Sequence, residues 1–193
     1  MLTLFHSPRS RSTRFLWLLE EIGPHYEIEY VTIQRADGSG GPDPKNPHPH
    51  KQVPALIHDE ALITESAAIA LYLTDAHPGA GVGPLVGDSL RGPYLTWLAY
   101  YAGVLEPVVL AHSRSSTDER DVAAYQALDA RLKATLEAGP YLLGETFSAA
   151  DILYVSLLQF GRTLLPDHKV YDDYLARLQA RPALARALEK DAA

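Results

Sequence analysis

Cysteine does not occur anywhere in the 193 residues of this chain. Disulfides, thiolate metal sites, a Cys-x-x-Cys redox pair and a protein thiol nucleophile are thereby excluded, and any sulfur chemistry must be brought by a ligand. Tyrosine is frequent later but absent before Tyr26. Long apolar runs are also missing. The longest aliphatic stretch, near Ala67 to Leu73, falls far short of the roughly 20 residues needed to span a bilayer. Arg9, Arg11 and Arg14 sit in a Ser-rich turn, so a secretory signal is not expected and a cytoplasmic protein is. Nor is positive charge in excess: 17 basic against 24 acidic residues leave a net charge of −7. That argues against nucleic acid and anionic membranes as partners and leaves room only for a local basic patch. His6, His48, His50 and His58 show no ligand spacing within a helix and no evident carboxylate partner, so no metal site is expected.

What is present is ordinary globular material, 47% hydrophobic and 21% charged, enough for a sizeable core in one domain or two small ones. Leu2 to His6 reads as a short strand running into the turn Ser7-Pro8-Arg9-Ser10-Arg11. From Ser12 the period changes: Phe15, Leu18, Leu19 and Ile22 share one helical face until Gly23-Pro24 stops it. Tyr26 to Ile33 alternates, predicting a strand that runs parallel to the first after the helical crossover. Arg35 to His50 is loop by composition. Pro54 to Asp59 and Ala61 to Thr64 are short strands around an Asp-Glu turn, and Ser66 to Thr74 is a helix ended by His77-Pro78-Gly79.

The order β-α-β, loop, β-β-α is that of a thioredoxin-like domain over residues 1–77. Gly79 to Gly87, with almost no charge, marks a linker at 78–88. Residues 89–193 read as an all-helical bundle domain, with apolar residues at helical spacing over Leu90–His112, Asp118–Ala138, Ala149–Leu164 and Tyr171–Leu188. Pro107 inside the first of these predicts a kink. The fold class is therefore α/β followed by all-α.

The most informative stretch is Lys51-Gln52-Val53-Pro54-Ala55-Leu56, followed by Glu65-Ser66-Ala67-Ala68-Ile69. Proline cannot donate to a ladder and suits a strand's first residue, which leaves Val53 placed to pair with an extended peptide as an added strand. Ser66 is suited to cap the next helix, whose first-turn N–H groups, with Glu65, face a charged ligand end. Taken alone, these residues also fit simple strand punctuation and a helix cap.

Three motifs in order resemble the glutathione transferase family along essentially the whole chain: the opening Leu4-Phe5-His6-Ser7-Pro8 through Leu18-Leu19-Glu20-Glu21, the Val53-Pro54 and Glu65-Ser66 segment, and Tyr141-Leu142-Leu143-Gly144 with Phe147-Ser148-Ala149-Ala150-Asp151-Ile152. The resemblance implies a glutathione-binding thioredoxin-like domain, a helical domain lining a pocket for a small apolar electrophile, a role in detoxification and a homodimer. It implies a cis Val53–Pro54 bond and a Val53 that holds the peptide amide of glutathione. Glu65 and Ser66 would hold the γ-glutamyl end, and Lys51 or Gln52 would meet the glycyl carboxylate.

In this family, chains without a catalytic tyrosine use a serine or cysteine of the first loop to hydrogen-bond the glutathione sulfur. Free thiols near pKa ~8.5 are only a few per cent ionised at neutral pH, and lowering that value by two units requires roughly 2.7 kcal/mol of preference for the anion. A hydroxyl bond and the positive end of the helix that follows are suited to supply it. The candidates are Ser10, then Ser7, then Ser12, and two of the three must be turn or cap residues; the cysteine-type position of bacterial relatives falls on Arg11, a cation that itself favours a thiolate.

Trp97, Tyr101, Leu105 and His112 share a helical face and are candidates for the electrophile pocket, or else for core. Ser148 and Asp151 fit a capping box, which makes Asp151 a structural acid. The leading expectation is a transferase that activates glutathione as co-substrate. A glutathione-dependent isomerase or dehalogenase, and a non-catalytic glutathione-binding scaffold, remain the alternatives.

Overall fold

The computed structural model describes residues 1–192; Ala193, the last residue of the expected helical segment, lies outside the described residues. Two compact units emerge. One consists of residues 1–80 together with the chain from Arg181 onward, the other of residues 81–180.

In the first unit β1 (Leu2–His6) runs into α1 (Thr13–Ile22), which ends at Gly23 with φ +75°. Only a residue free of a Cβ adopts that left-handed conformation at little cost, so the helix stops there. The strand β2 (Glu27–Tyr30) lies parallel to β1, as the crossover predicts, with Thr3 opposite Glu27 and His6 opposite Tyr30. β3 (Ala55–His58) is antiparallel to β1 and pairs in turn with β4 (Ala61–Ile63), giving the order β2-β1-β3-β4. α2 (Ser66–Ala76) follows. Ser66 is the helix's first residue rather than its cap: Glu65 stands in that place, at φ +68°, with no side-chain cap bond.

Thr13 to Leu19 are all buried, polar Thr13 and Arg14 included. A surface helix buries one stripe; α1 buries more because a second helix lies along it. That helix is α8 (Pro182–Asp191), with Ala183, Leu184 and Ala187 turned inward. Charge fixes the pair: Arg181 meets Glu21, while Arg186 and Lys190 meet Glu20.

Sequence periodicity places Tyr171–Leu188 in one helix of the second domain. The structure instead breaks it between α7 (Lys169–Gln179) and α8. Pro182 is the cause, because a proline ring forces the preceding residue out of the helical region, and Arg181 accordingly sits at φ −74°, ψ 127°. The chain leaves the helical unit at that point and rejoins the first.

Within the second unit, α3 (Arg91–Tyr100) and α4 (Glu106–Ser113) are joined by a π-helical turn at Tyr101–Leu105. Pro107 offers no N–H and its ring clashes with the carbonyl four residues back, and widening the turn relieves both problems. The continuous stretch Arg91–Ser113 is long and apolar enough, by length and composition, to cross a membrane, which the search for aliphatic runs overlooks. Its buried residues Tyr94, Trp97, Leu98, Tyr101, Leu105 and Val109 form one face, as in a helix packed against others. α5 (Glu119–Ala138) and α6 (Ala149–Gly161) complete the unit with α7.

The capping box at α6 is fully formed. Asp151, fully buried, accepts from Ser148 N at 2.8 Å, Leu142 N at 2.9 Å and the Tyr174 hydroxyl at 2.9 Å, with Ser148 Oγ at 3.2 Å. It ties the Tyr141–Gly144 turn, the start of α6 and α7 together.

Candidate functional site

A cleft of about 500 Å³ opens in the first unit beside Arg9, Ser10, Arg11, Arg35, Gln52 and Val53. Val53 precedes the cis Val53–Pro54 bond and lies outside the β3 ladder, which begins at Ala55. Its side chain packs on Phe5, Val31 and Ala55. Three arginines around one cleft give a chain of net charge −7 a local positive site, as an anionic ligand requires.

The loop that carries the serines is held from several directions. Arg9 adopts φ +53°, a conformation that costs a side-chain-bearing residue roughly 1–3 kcal/mol and persists only where its surroundings over-determine it. Here Asp191 of α8 supplies the hold. Its two oxygens accept the Arg9 N–H at 3.2 and 3.1 Å, and Oδ1 accepts the Thr13 hydroxyl at 2.5 Å. From the other side Arg35 donates to the Pro8 carbonyl at 2.9 Å and to Ser7 Oγ at 3.3 Å. Lys51 and Glu65 are likewise at positive φ, 52° and 68°, so both binding segments singled out by sequence carry backbone strain.

The three candidate hydroxyls part company in the structure. Ser12 is completely buried and Ser7 nearly so. Ser12 Oγ accepts from Ser7 N at 3.1 Å and lies 2.8 Å from both Ser10 Oγ and His6 Nδ1. Ser10 alone of the three lines the cleft. Arg11 lines it too.

On the far edge, Gln52 and Lys51 also separate. Gln52 borders the cleft, and its carbonyl accepts from buried Asn46 Nδ2 at 2.9 Å. Lys51 Nζ instead donates to the Asn46 carbonyl at 2.6 Å. Ser66 stands at the N-terminus of α2, with Glu65 before it near the buried His48 imidazole, whose pKa burial holds below the usual histidine value against an opposing pull from Glu65.

Three of the four expected pocket residues are interior to the helical unit. Tyr101 is at 0% exposure with its hydroxyl on Glu106 at 2.7 Å, Leu105 is at 1%, and Trp97 meets Tyr154 edge-on at 5.5 Å. His112 differs: it stacks on Tyr125, centroids 3.8 Å apart and planes 9° apart, at a cavity of about 520 Å³ within this unit. Ser115, Ser116, Asp121, Val122 and Gln126 complete that lining.

Sequence reasoning missed Arg35, His6 and Asp191. Arg35 lay in a segment read only as loop, and Asp191 acts on the first loop across 182 residues, a distance that no local pattern spans.

By sequence the chain belongs to the glutathione S-transferase family. The model described as glutathione S-transferase, N-terminal domain, matches residues 1–75, and that described as glutathione S-transferase, C-terminal domain, matches residues 96–188. Disulfide-bond oxidoreductase YfcG of Escherichia coli is 28% identical to it, over 98% of this chain and 95% of its own. A glutathione S-transferase of Actinobacillus pleuropneumoniae superposes with a TM-score of 0.85 at 25% identity, covering all of this chain and 93% of that one. A sphingomonad glutathione S-transferase, solved in complex with glutathione, gives a TM-score of 0.78 at 26% identity over 98% of both chains.

Proposed function

We propose that this protein is a glutathione transferase that binds glutathione in the first unit's cleft and presents its thiolate to a small apolar electrophile. In this reading the Val53 backbone pairs with the tripeptide's central peptide group as an added strand. Ser66 and the first turn of α2, with Glu65, receive the γ-glutamyl end. Gln52 and the cleft arginines receive the glycyl carboxylate, with Lys51 bracing the loop between them.

Ser10 donates to the sulfur, and Arg11 adds a nearby positive charge. The observation that carries the reading is the placement of the Ser10 hydroxyl in the same cleft as Val53, on a loop held in a strained conformation. The protein supplies orientation and charge stabilisation, while the nucleophile comes with the ligand.

A cytoplasmic homodimer with a detoxifying role belongs to the same proposal and rests on family membership; light scattering tests the dimer.

The oxidoreductase name of the Escherichia coli relative favours one second reading. The thiolate of glutathione bound in the same cleft would attack a disulfide substrate, forming a mixed disulfide and releasing one thiolate, and a second glutathione would release the other as glutathione disulfide forms.

Titrating the protein with glutathione while following thiolate absorbance against pH tests the binding claim. A bound thiol whose pKa lies well below that of free glutathione supports it, and absence of binding overturns it. Assays with an aromatic halide and with a small disulfide then separate the two reactions.

A further inference from the structure

Behind Ser10 a line of polar groups runs away from the cleft. Ser10 Oγ is 2.8 Å from Ser12 Oγ, Ser12 Oγ is 2.8 Å from His6 Nδ1, and His6 Nε2 is 3.3 Å from Asp191 Oδ1, though without the alignment of a hydrogen bond. His6 and Ser12 are fully buried, while Asp191 also borders a second opening beside Pro8 and Arg9. The line therefore connects a cleft hydroxyl to a carboxylate on a different face of the loop.

Donor and acceptor counting limits how this line can be ordered. A serine hydroxyl has one proton and two acceptor positions. At Ser12 the Ser7 N–H takes one acceptor position, and at Ser10 the Ser12 N–H takes one at 3.2 Å. If Ser12 donates to His6 Nδ1, it accepts from Ser10, whose oxygen then offers its remaining lone pair to the cleft. If instead Nδ1 carries a proton, Ser12 donates to Ser10 and the Ser10 hydroxyl turns outward as a donor. The Ser7 carbonyl, at 3.4 Å from Ser12 Oγ, is the weaker alternative partner.

Asp191 selects the first order when the imidazole is neutral, because a carboxylate facing Nε2 favours the proton there and leaves the lone pair on Nδ1. Burial pushes the His6 pKa down to about 4, with Asp191 pulling it up; at ordinary pH the ring is neutral and a weak base, and it holds a proton only while the thiolate's negative charge stands at the other end of the line. The titratable groups that face it are Asp191 from α8 and Tyr30 from β2, whose ring it meets edge-on at 5.6 Å.

We propose that Ser10, Ser12 and His6 form a proton relay that takes the thiol proton out of the cleft, with Asp191 as the positioning residue for His6. This deepens the glutathione reading and rests on it. The S–H bond breaks as its proton passes to Ser10 Oγ; Ser10's own proton moves to Ser12 Oγ, and Ser12's moves to His6 Nδ1, forming the N–H bond. The charges balance as thiolate and imidazolium, the latter presenting Nε2–H to Asp191. The same shift leaves the Ser10 hydroxyl pointing at the thiolate, so removal of the proton and stabilisation of the anion are one event. After attack, the proton returns along the line to the product's leaving atom.

The decisive measurement is the ¹⁵N spectrum of the imidazoles of the wild-type protein, with and without glutathione. His6 Nδ1 is expected to be unprotonated when the cleft is empty and protonated once the thiolate band has appeared; an Nδ1 that stays unprotonated beside a full thiolate band overturns the relay. His6→Asn, which keeps a polar group near Nδ1 but cannot take up a proton, is expected to bind glutathione within about twofold of wild type. It should raise the bound thiol pKa by about one unit or more, a tenfold loss of thiolate. An unchanged thiol pKa in folded His6→Asn overturns the relay alone. A wild-type protein with no thiolate band overturns the relay together with the reading beneath it.

Discussion

Glu21 of α1 receives the Arg181 guanidinium on both oxygens, Nε at 2.6 Å and Nη2 at 2.9 Å, across 160 residues of sequence. Trp17 Nε1 donates to the same carboxylate at 2.9 Å, so the pair anchors the start of α8 to the last turn of α1. Arg181→Ala leaves a mostly buried carboxylate with one neutral donor and should cost about 2–3 kcal/mol, read from the urea midpoint. Arg181→Lys should recover less than half, because an ammonium cannot match both oxygens of the fork.

Glu20 carries the pH dependence of this contact. Burial opposes its ionisation, but bonds from Lys190, Tyr26 and Arg186 hold its pKa near 2, against an ordinary value of 4.5. A depressed carboxylate contributes stability that is present above 4.5 and lost as pH falls toward 2. After discounting for solvent around the basic partners, the loss is about 1–2 kcal/mol. Glu20→Gln should be less stable at neutral pH and should flatten that acid limb in chemical denaturation at stepped pH.

Removing the Asp151 carboxylate strands the buried N–H groups of Leu142 and Ser148 and the Tyr174 hydroxyl at once. A lost cap alone costs about 0.5–2 kcal/mol. With these further donors unpaired, Asp151→Ala should cost roughly 3–5 kcal/mol, and thermal unfolding checks it. Glutathione affinity of whatever protein remains folded should be unchanged.

Ser10→Ala should lower the conjugation rate about 10- to 100-fold, the value of one charge-assisted hydrogen bond to the sulfur, with little change in KM for glutathione. Ser10→Thr, which keeps the hydroxyl, should retain most of the activity. Steady-state kinetics that show equal rates for Ser10→Ala and the wild type would remove Ser10 from the mechanism.

Arg35→Ala withdraws one of the cleft's cations and frees the Pro8 carbonyl. Glutathione binding should weaken roughly tenfold, and its dependence on salt should become shallower. Calorimetric titration at two ionic strengths reads both effects.

Much of the fold was legible because its signals are local. Gly23-Pro24 marks the end of α1, the alternation after Tyr26 marks β2, and Ser148 with Asp151 marks the start of α6. The Lys51 to Pro54 and Glu65-Ser66 segments stood out for the same reason, and each holds a residue at positive φ, Lys51 in the first and Glu65 in the second. What could not be read was partnership. Periodicity gives a helix an apolar face but not the surface that face will meet, so α8 read as a continuation of α7 even though Pro182 stood at the break. The setting of the serine loop was illegible for a related reason: its hold comes from Asp191, and its inner contact, His6, looks in sequence like any strand-end histidine. The π-helical turn before Pro107 was half legible, since the proline announces a disturbance without saying how the helix absorbs it.

The return of α8 to the first unit sets the order in which the two units can be completed on the ribosome. Every residue of the second unit lies between 81 and 180, so it can close while the rest of the chain is still being made. The first unit begins earlier and finishes later. Until residues 181–191 emerge, the α8-facing side of α1 has no cover, and the acids Glu20 and Glu21 have none of their basic partners. Joining them brings together positions 160 or more residues apart in the sequence. The serine loop shares that delay, because Asp191 arrives only after the whole second unit. A chain halted by premature termination just before α8 would carry the cleft's side chains without the carboxylate that sets their conformation.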